Sequence, residues 1–414
     1  MRVLAAMSGG VDSAVAAALA VEAGHDVTGV HMRLATKPES PDGVVRGCSS
    51  VEDAADAARA AEILGIPFHV WDLTEEFEDA VVTDFLSQYR AGHTPNPCVR
   101  CNEFVKFRQL LTRGIALGYD AVCTGHYARR LDGPTGPELH RGLDELKDQS
   151  YVLAVTGRED LGRVILPLGE APSKAWVREQ AEARRLGVSN KPDSFDICFI
   201  PDGDSAGFLR KHLGEAPGVI VDDRGEHVGH HLGYYQFTVG QRKGLKLGRP
   251  SKTGKPRYVL STDPETNTVV VGEAHLLGRD TIETSDLVWL AEPEELVVDE
   301  DAQQRFGLSM EGKSLNAVPD DVFTVQIRAH GTPSVARSIE VCEDVDSEGL
   351  VGERLKVRLT EPIRGVAPGQ SLVIYKGSRA VAEGTIAANF AGKPFAAASE
   401  RQTAPVIVDL RNPG

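Results

Sequence analysis

The chain has 414 residues, 41% hydrophobic and 25% charged, which suits a globular protein of two or three domains with a full-sized core. A formal net charge of −15 excludes a protein that coats nucleic acid by bulk attraction, so any RNA contact has to come from a local basic patch or a fit of shape. Six cysteines in a chain of this length exclude a secreted disulfide framework and point to a reducing compartment, where paired cysteines do chemistry or bind metal.

At the start, Arg2 precedes an apolar run in the manner of a signal peptide. Gly9, Gly10 and Asp12 interrupt that run, and no stretch is long and apolar enough to span a membrane, so a cytoplasmic protein is expected. Residues 2–6, "RVLAA", read as a buried strand, followed by the turn "SGGVDS" (Ser8 to Ser13) and an Ala-rich helix. "DVTGVHM", ending at Met32, is a second strand. "SSVEDAADAARAAEILG" is a helix with a capping-box spacing from Ser50 to Asp53 and a stop at Gly65. "IPFHVWDL" is the next strand, "FVKFRQLLTRGIALG" a helix, and "YDAVCTGHYARR" a strand ending at Gly125. This alternation predicts an α/β fold with a doubly wound parallel sheet. Ligands in such sheets sit beyond the strand C-termini, which selects residues 7–13, Met32 and residues 124–127.

After about residue 205 the texture changes. "GQRKGLKLGRPSKTGKPR" (Gly240 to Arg257) carries seven Lys/Arg and no Asp or Glu, a phosphate-contacting surface within an acidic chain. From about residue 282, period-two alternation between Gly/Pro turns predicts a small β-barrel. The expected domains are 1–204 (nucleotide-binding, catalytic), 205–281 (small, central, basic) and 282–392 (barrel, with an acidic insertion at about 291–321), then a tail at 393–414.

Two motifs carry chemistry. In "SGGVDS" the paired glycines let backbone N–H groups converge on an anion, and the following helix N-terminus favours phosphate. Ser8 and Ser13 supply hydroxyls, and Asp12 is a candidate Mg²⁺ ligand. The Walker A pattern is absent, which excludes a P-loop kinase or GTPase. In "TPNPCVRCNEF" (Thr94 to Phe104), Cys98 and Cys101 stand two residues apart, with a distant Cys198 in "DSFDICFIPD". Arg100 and Lys106 are near in sequence and able to lower a thiol pKa, and Pro95 and Pro97 stiffen the approach. Zinc lacks a fourth ligand unless His93 or His126 supplies it. Cys123 and Cys342 lie in apolar runs and read as core, and Cys48 as structural.

"SGGVDS" after an N-terminal strand resembles the PP-loop of ATP pyrophosphatases. With "GHTPNPCVRCNEFVKF", "TGHYAR", "DELKDQSYVLA", "DICFIPDG" and "FTVGQRKGL", in that order from about residue 2 to about 390, the chain resembles the tRNA-specific 2-thiouridylase family (MnmA/TrmU). The resemblance implies ATP bound by Ala6, Met7, Ser8, Gly9, Gly10, Val11, Asp12, Ser13, Met32 and Gly125. It implies Cys101 as nucleophile and Cys198 as persulfide carrier. It places Asn96, Pro97 and Cys98 at the target base, and His126, Asp148, Gln149, Ser150, Arg328, Ala329 and Gln370 against tRNA. The implied reaction is ATP-dependent 2-thiolation of the wobble uridine by a monomer served by a cysteine desulfurase or sulfur-relay protein. The chain departs from the family at Cys98, often Asp there, and at Ala329, often Tyr. Cys98, Cys101 and Cys198 also match thiolases that hold a [4Fe–4S] cluster on three cysteines, so persulfide relay and cluster-bound sulfide both stand. Two other readings are a PP-loop amide ligase and a metal-stapled RNA-binding protein without catalysis.

Overall fold

A computed structural model describes residues 1–34, 50–191, 197–200, 202–247, 253–307, 309–345 and 351–387. Cys48, the centre of the basic stretch at 248–252 and the tail at 393–414 lie outside them. Among the described residues no helix is long and apolar enough to cross a membrane.

The N-terminal layer is a five-stranded parallel sheet in the order β3-β2-β1-β4-β7, from β1 (Arg2–Ala6), β2 (Asp26–Arg33), β3 (Phe68–Asp72), β4 (Ala121–Cys123) and β7 (Val164–Ile165). The expected doubly wound sheet is therefore present. Order reverses between β1 and β4, so the loops leaving these neighbours splay apart and open a crevice above them. Helix α1 (Val11–Glu22) follows β1 and is buried almost all round, with Ala14, Ala16, Ala17, Ala18 and Ala20 in one core cluster with β1. Side chains this small let the helix lie close on the sheet, and any larger residue would overpack it by about 1–3 kcal/mol. Helix α2 (Val51–Leu64) carries the reciprocal Ser50–Asp53 capping box and stops at Gly65, whose φ is 69°.

β5 (Ala128–Gly133) and β6 (Gly136–Arg141) form a hairpin that the sequence reading did not identify. The hairpin leaves the parallel layer and adds to the C-terminal sheet. There, β12 (Gly278–Trp289), β13 (Phe323–Gln326), β14 (Ser334–Val345), β15 (Val351–Arg364), β16 (Ser371–Lys376) and β17 (Arg379–Ile386) run in the order β12-β15-β14-β13-β16-β17. Pairing of β12 with β17 closes them into a six-stranded antiparallel barrel. β6 then pairs with β17 (Ala380 with Leu139), so the hairpin following the parallel layer is joined to the barrel's sheet. Between them, β8 (Gly218–Asp222), β9 (His227–His231), β10 (Arg257–Asp263) and β11 (Thr268–Glu273) form a separate four-stranded sheet in the order β10-β11-β8-β9.

Candidate active site

The turn after β1 is built as a cradle. Gly9 has φ 82°, and a Cβ there would lie 2.2 Å from the Asp53 carbonyl oxygen, so only glycine lets the turn rest against α2. Ser13 Oγ accepts from Ser8 N at 3.1 Å and donates to the Gly10 carbonyl at 3.1 Å, closing the turn on itself. Ser8 Oγ lies 3.1 Å from Ser13 Oγ. Gly10 caps α1 without a side-chain hydrogen bond, which leaves the first-turn N–H groups pointing into the crevice. Beneath the turn, Met7 is buried and His31 Nδ1 lies 2.9 Å from its carbonyl oxygen. Burial pushes the His31 pKa down, so a neutral imidazole donates this hydrogen bond.

Gly125 follows β4 on the other side of the switch point. A Cβ there would lie 2.7 Å from Asp12 C and Ser13 N, so this loop presses directly on the start of α1. Asp12 points across the gap. Its Oδ1 accepts from Tyr127 Oη at 2.6 Å, and Lys174 Nζ donates to Oδ1 at 2.8 Å and Oδ2 at 2.7 Å. Lys191 Nζ holds the turn from below, donating to the Gly9 carbonyl at 3.0 Å and to Asp53 and Asp56 at 2.7 Å each. Sequence reading missed Tyr127, Lys174 and Lys191. For Lys174 a signal existed: a cation at the first position of a helix (Lys174–Ala183, capped by Ser173) opposes the helix dipole and asks for an anionic partner.

The cysteine motif sits on a short helix, Pro97–Arg100, that continues as a π-helical stretch, Cys101–Phe107. Asn96 Oδ1 accepts from Cys98 N at 3.0 Å and Val99 N at 3.4 Å, and Pro97 takes the first helical position. Cys98 is exposed, whereas Cys101 is buried in an apolar cluster with Phe77, Val81 and Val105. Cys198 and Met32 each pack against that same cluster. Met32 also touches the cluster that holds Ala6 and Val30. Arg100 pairs with Glu103 at 3.1 Å and Asp84 at 3.5 Å. Among the described residues no three His, Cys, Asp or Glu side chains are gathered as a metal site. Cys123 is core, its thiol pushed up to about 12 by burial.

The candidate RNA-contacting residues divide by burial. Asp148 and Ser150 lie inside the seam between hairpin and barrel. Asp148 pairs with fully buried Arg141 at 3.2 Å and accepts from Gly142 N, Ser150 N and Ser150 Oγ. Arg141 stacks on Tyr375 with its guanidinium carbon 3.5 Å from the ring centre and donates to Gln326 Oε1 at 2.8 Å. Gln149 is half-buried and bonds Tyr127 through both backbone and side chain. Gln370 Nε2 donates to the Thr94 carbonyl at 2.7 Å, so the barrel props the approach to the cysteine helix. Arg328 is exposed and reaches the Gly365 carbonyl, while neighbouring Ala329 packs on the core. His126 is half-buried, 2.9 Å from Thr124 Oγ1; burial, then nearby Lys106, pushes its pKa down to about 3, so it is neutral at physiological pH.

A doubly wound sheet with an anion-cradling turn at its switch point, and one buried and one half-buried thiol on a cluster that Met32 of the rim also joins, defines a nucleotide-binding α/β enzyme carrying two β modules. Residues 1–202 match the tRNA methyl transferase HUP domain, residues 206–273 the tRNA methyl transferase PRC-barrel domain, and residues 279–386 the aminomethyltransferase beta-barrel domain. The chain belongs to the tRNA-specific 2-thiouridylase MnmA family. The Beutenbergia cavernae member is 55% identical over 390 residues, covering 94% of this chain and 95% of its own. Those of Kocuria rhizophila (52% over 398 residues; 96% and 100%) and Acidothermus cellulolyticus (51% over 387 residues; 94% and 98%) are comparably similar.

Proposed function

We propose that this protein uses ATP to replace the C2 oxygen of the wobble uridine of tRNA by sulfur. The observation that supports this reading best is that Met32, near the end of β2, and Cys198 each pack against the apolar cluster that holds Cys101, although these residues lie far apart along the chain. The turn at Ala6–Ser13, with Met32 and Gly125, holds ATP. In the first step uridine O2 bonds to the α-phosphorus, the bond to the bridging oxygen breaks, and its electron pair leaves on pyrophosphate. The O-adenylated carbon is then open to sulfur.

Cys198 carries a persulfide delivered by a cysteine desulfurase or a sulfur-relay protein. Its terminal sulfur bonds to C2, AMP leaves with the former carbonyl oxygen, and Cys101 thiolate attacks Cys198 Sγ, breaking the bond to the transferred sulfur, whose electron pair stays with the uridine. The product is 2-thiouridine and a Cys101–Cys198 disulfide, which a cellular dithiol reduces. Asp12 is the residue that would hold Mg²⁺, which supplies charge neutralisation at the phosphates. No step runs through an iron–sulfur cluster. Attack on C2 requires an unstacked base, which favours the single-stranded anticodon loop. Asn96, Pro97 and Cys98 receive that base, His126 and Gln149 line its entry, and Arg328 with the basic stretch at 240–257 meets tRNA phosphates. The enzyme acts in the cytoplasm as a monomer, with catalysis in 1–204 and tRNA-binding in 205–281 and 282–392.

The test is thiolation of an unmodified tRNA transcript with ATP and a persulfide donor, read as 2-thiouridine and AMP. Cys101→Ala and Cys198→Ala should each abolish thiolation. Full ATP turnover by Cys101→Ala with AMP passed to another acceptor would favour an amide ligase and end this reading.

A further inference from the structure

Cys198 is fastened to the molecule by its neighbours in sequence. In the described segment 197–200, Ile200 N donates to the Ile197 carbonyl at 3.0 Å, and Ile197, Phe199 and Ile200 pack in one apolar cluster with Phe85 and Leu209. Phe199 also packs on a second cluster, the one that holds Cys101 and that Cys198 packs against. Its ring meets three others. Phe77 of the Cys101 cluster lies 5.9 Å away at 72°, Phe85 5.3 Å away at 85° and Phe208 5.4 Å away at 61°, all edge-to-face. Phe85 and Phe208 close the group at 6.2 Å. The three partners come from separate helices: Thr74–Phe77, Asp84–Arg90 and Ser205–Leu213. Edge-to-face contact favours particular angles as well as apolar bulk, because the positive edge of one ring seeks the negative face of the next. Three such contacts fix the plane of the Phe199 ring, where an aliphatic side chain would only fill the space.

We propose that Phe199 is a positioning residue for sulfur transfer: the aromatic lock on its ring holds the Cys198 thiol at the cluster that contains Cys101. This rests on the function proposed above. Adjacent Cα atoms across a trans peptide stand about 3.8 Å apart, so a fixed ring leaves the thiol next to it little freedom. Transfer needs the outer sulfur of the Cys198 persulfide at uridine C2 and then the Cys101 thiolate at Cys198 Sγ. A misplacement of about 1 Å is enough to cost about 10²-fold in such a step. Adenylation at the nucleotide turn uses neither thiol, so the lock serves the second half of the reaction. Phe77 follows β3 of the parallel layer and Phe208 precedes β8 of the central sheet, so the lock also ties the sulfur-bearing segment to both modules.

The experiment uses the full chain with a tRNA transcript and reads the two half-reactions separately. Pyrophosphate release is followed with ATP and tRNA but no sulfur donor. Formation of 2-thiouridine and of the Cys101–Cys198 disulfide is followed in a single turnover without reductant, per enzyme shown by mass to carry the persulfide. For Phe199→Leu, 2-thiouridine and the disulfide should both form on the order of 10²-fold more slowly, while pyrophosphate release changes less than about threefold. Phe199→Tyr, which keeps the ring, should restore transfer to within about threefold of wild type. Phe208→Leu removes one of the three partners and should slow transfer by up to about tenfold, again sparing pyrophosphate release. Equal slowing of both half-reactions would mean that the ring only supports the fold, and unchanged transfer in Phe199→Leu would mean that it does not place Cys198; either overturns the proposal. If Phe199→Leu fails to fold, Phe208→Leu carries the same selective expectation and the same refutation. Wild-type protein that forms neither pyrophosphate nor 2-thiouridine would instead remove the proposed function, so the two failures are distinguishable.

Discussion

Asp148→Ala is expected to destabilise the seam between the hairpin and the barrel. Asp148 accepts four hydrogen bonds, one of them from Arg141, whose side chain is 1% exposed. The alanine variant leaves that guanidinium buried with Gln326 as its hydrogen-bonded partner and the Tyr375 face beside it. Removing one member of a buried ion pair costs about 3–5 kcal/mol, chiefly because the other charge stays buried and uncompensated. The Gly142 and Ser150 N–H groups lose their acceptor as well, so the upper part of that range applies. Removing both charges in an Arg141→Met/Asp148→Ala double variant should recover most of the loss, since no charge is then stranded. The assay is urea unfolding followed by Trp289 fluorescence, which reports on β12 of the barrel. If Asp148→Ala instead keeps its unfolding midpoint and loses only tRNA affinity, the carboxylate is an RNA contact and its assignment to the seam is mistaken. A double variant as unstable as the sum of the singles would likewise refute the stranded-charge explanation.

Gly125→Ala should lower kcat/KM for ATP on the order of 10²-fold with the fold retained, because the new Cβ forces the start of α1 away; an effect under about twofold would contradict the close packing. Glu383 lies buried in the barrel, and burial pushes its pKa up to about 7 from 4.5, so the folded state holds a proton that the unfolded chain releases. Its contribution is whole below pH 4.5, declines as pH rises toward 7 and amounts to roughly 3 kcal/mol. Glu383→Gln should flatten that part of the stability–pH curve, and an unchanged slope would assign it to other groups. Protein purified free of iron should thiolate tRNA fully with a persulfide donor, because the proposed transfer uses only the Cys101 and Cys198 thiols; activity that tracks iron content would reinstate the cluster.

The parallel layer was legible because its signals are local. "RVLAA", the Ser50–Asp53 capping box, the Gly65 stop and the two glycines of "SGGVDS" each specify backbone within a few residues. The barrel was legible from alternation in the same way, although its closure through β12 and β17 and the joining of β6 to it were not. The spacing of Cys98 and Cys101 promised a pair, but Cys98 is exposed and Cys101 is buried in an apolar cluster drawn from distant segments, which the spacing does not encode. Asp148 and Ser150 look like polar loop residues until Arg141, Gln326 and Tyr375 from three other strands close over them. The Lys174–Asp12 pair joins positions 162 residues apart. Backbone preferences are set by neighbours in sequence and can be read from it. Which charges meet, which thiol is buried and which loop props another depend on how the layers pack, and only the tertiary structure decided those.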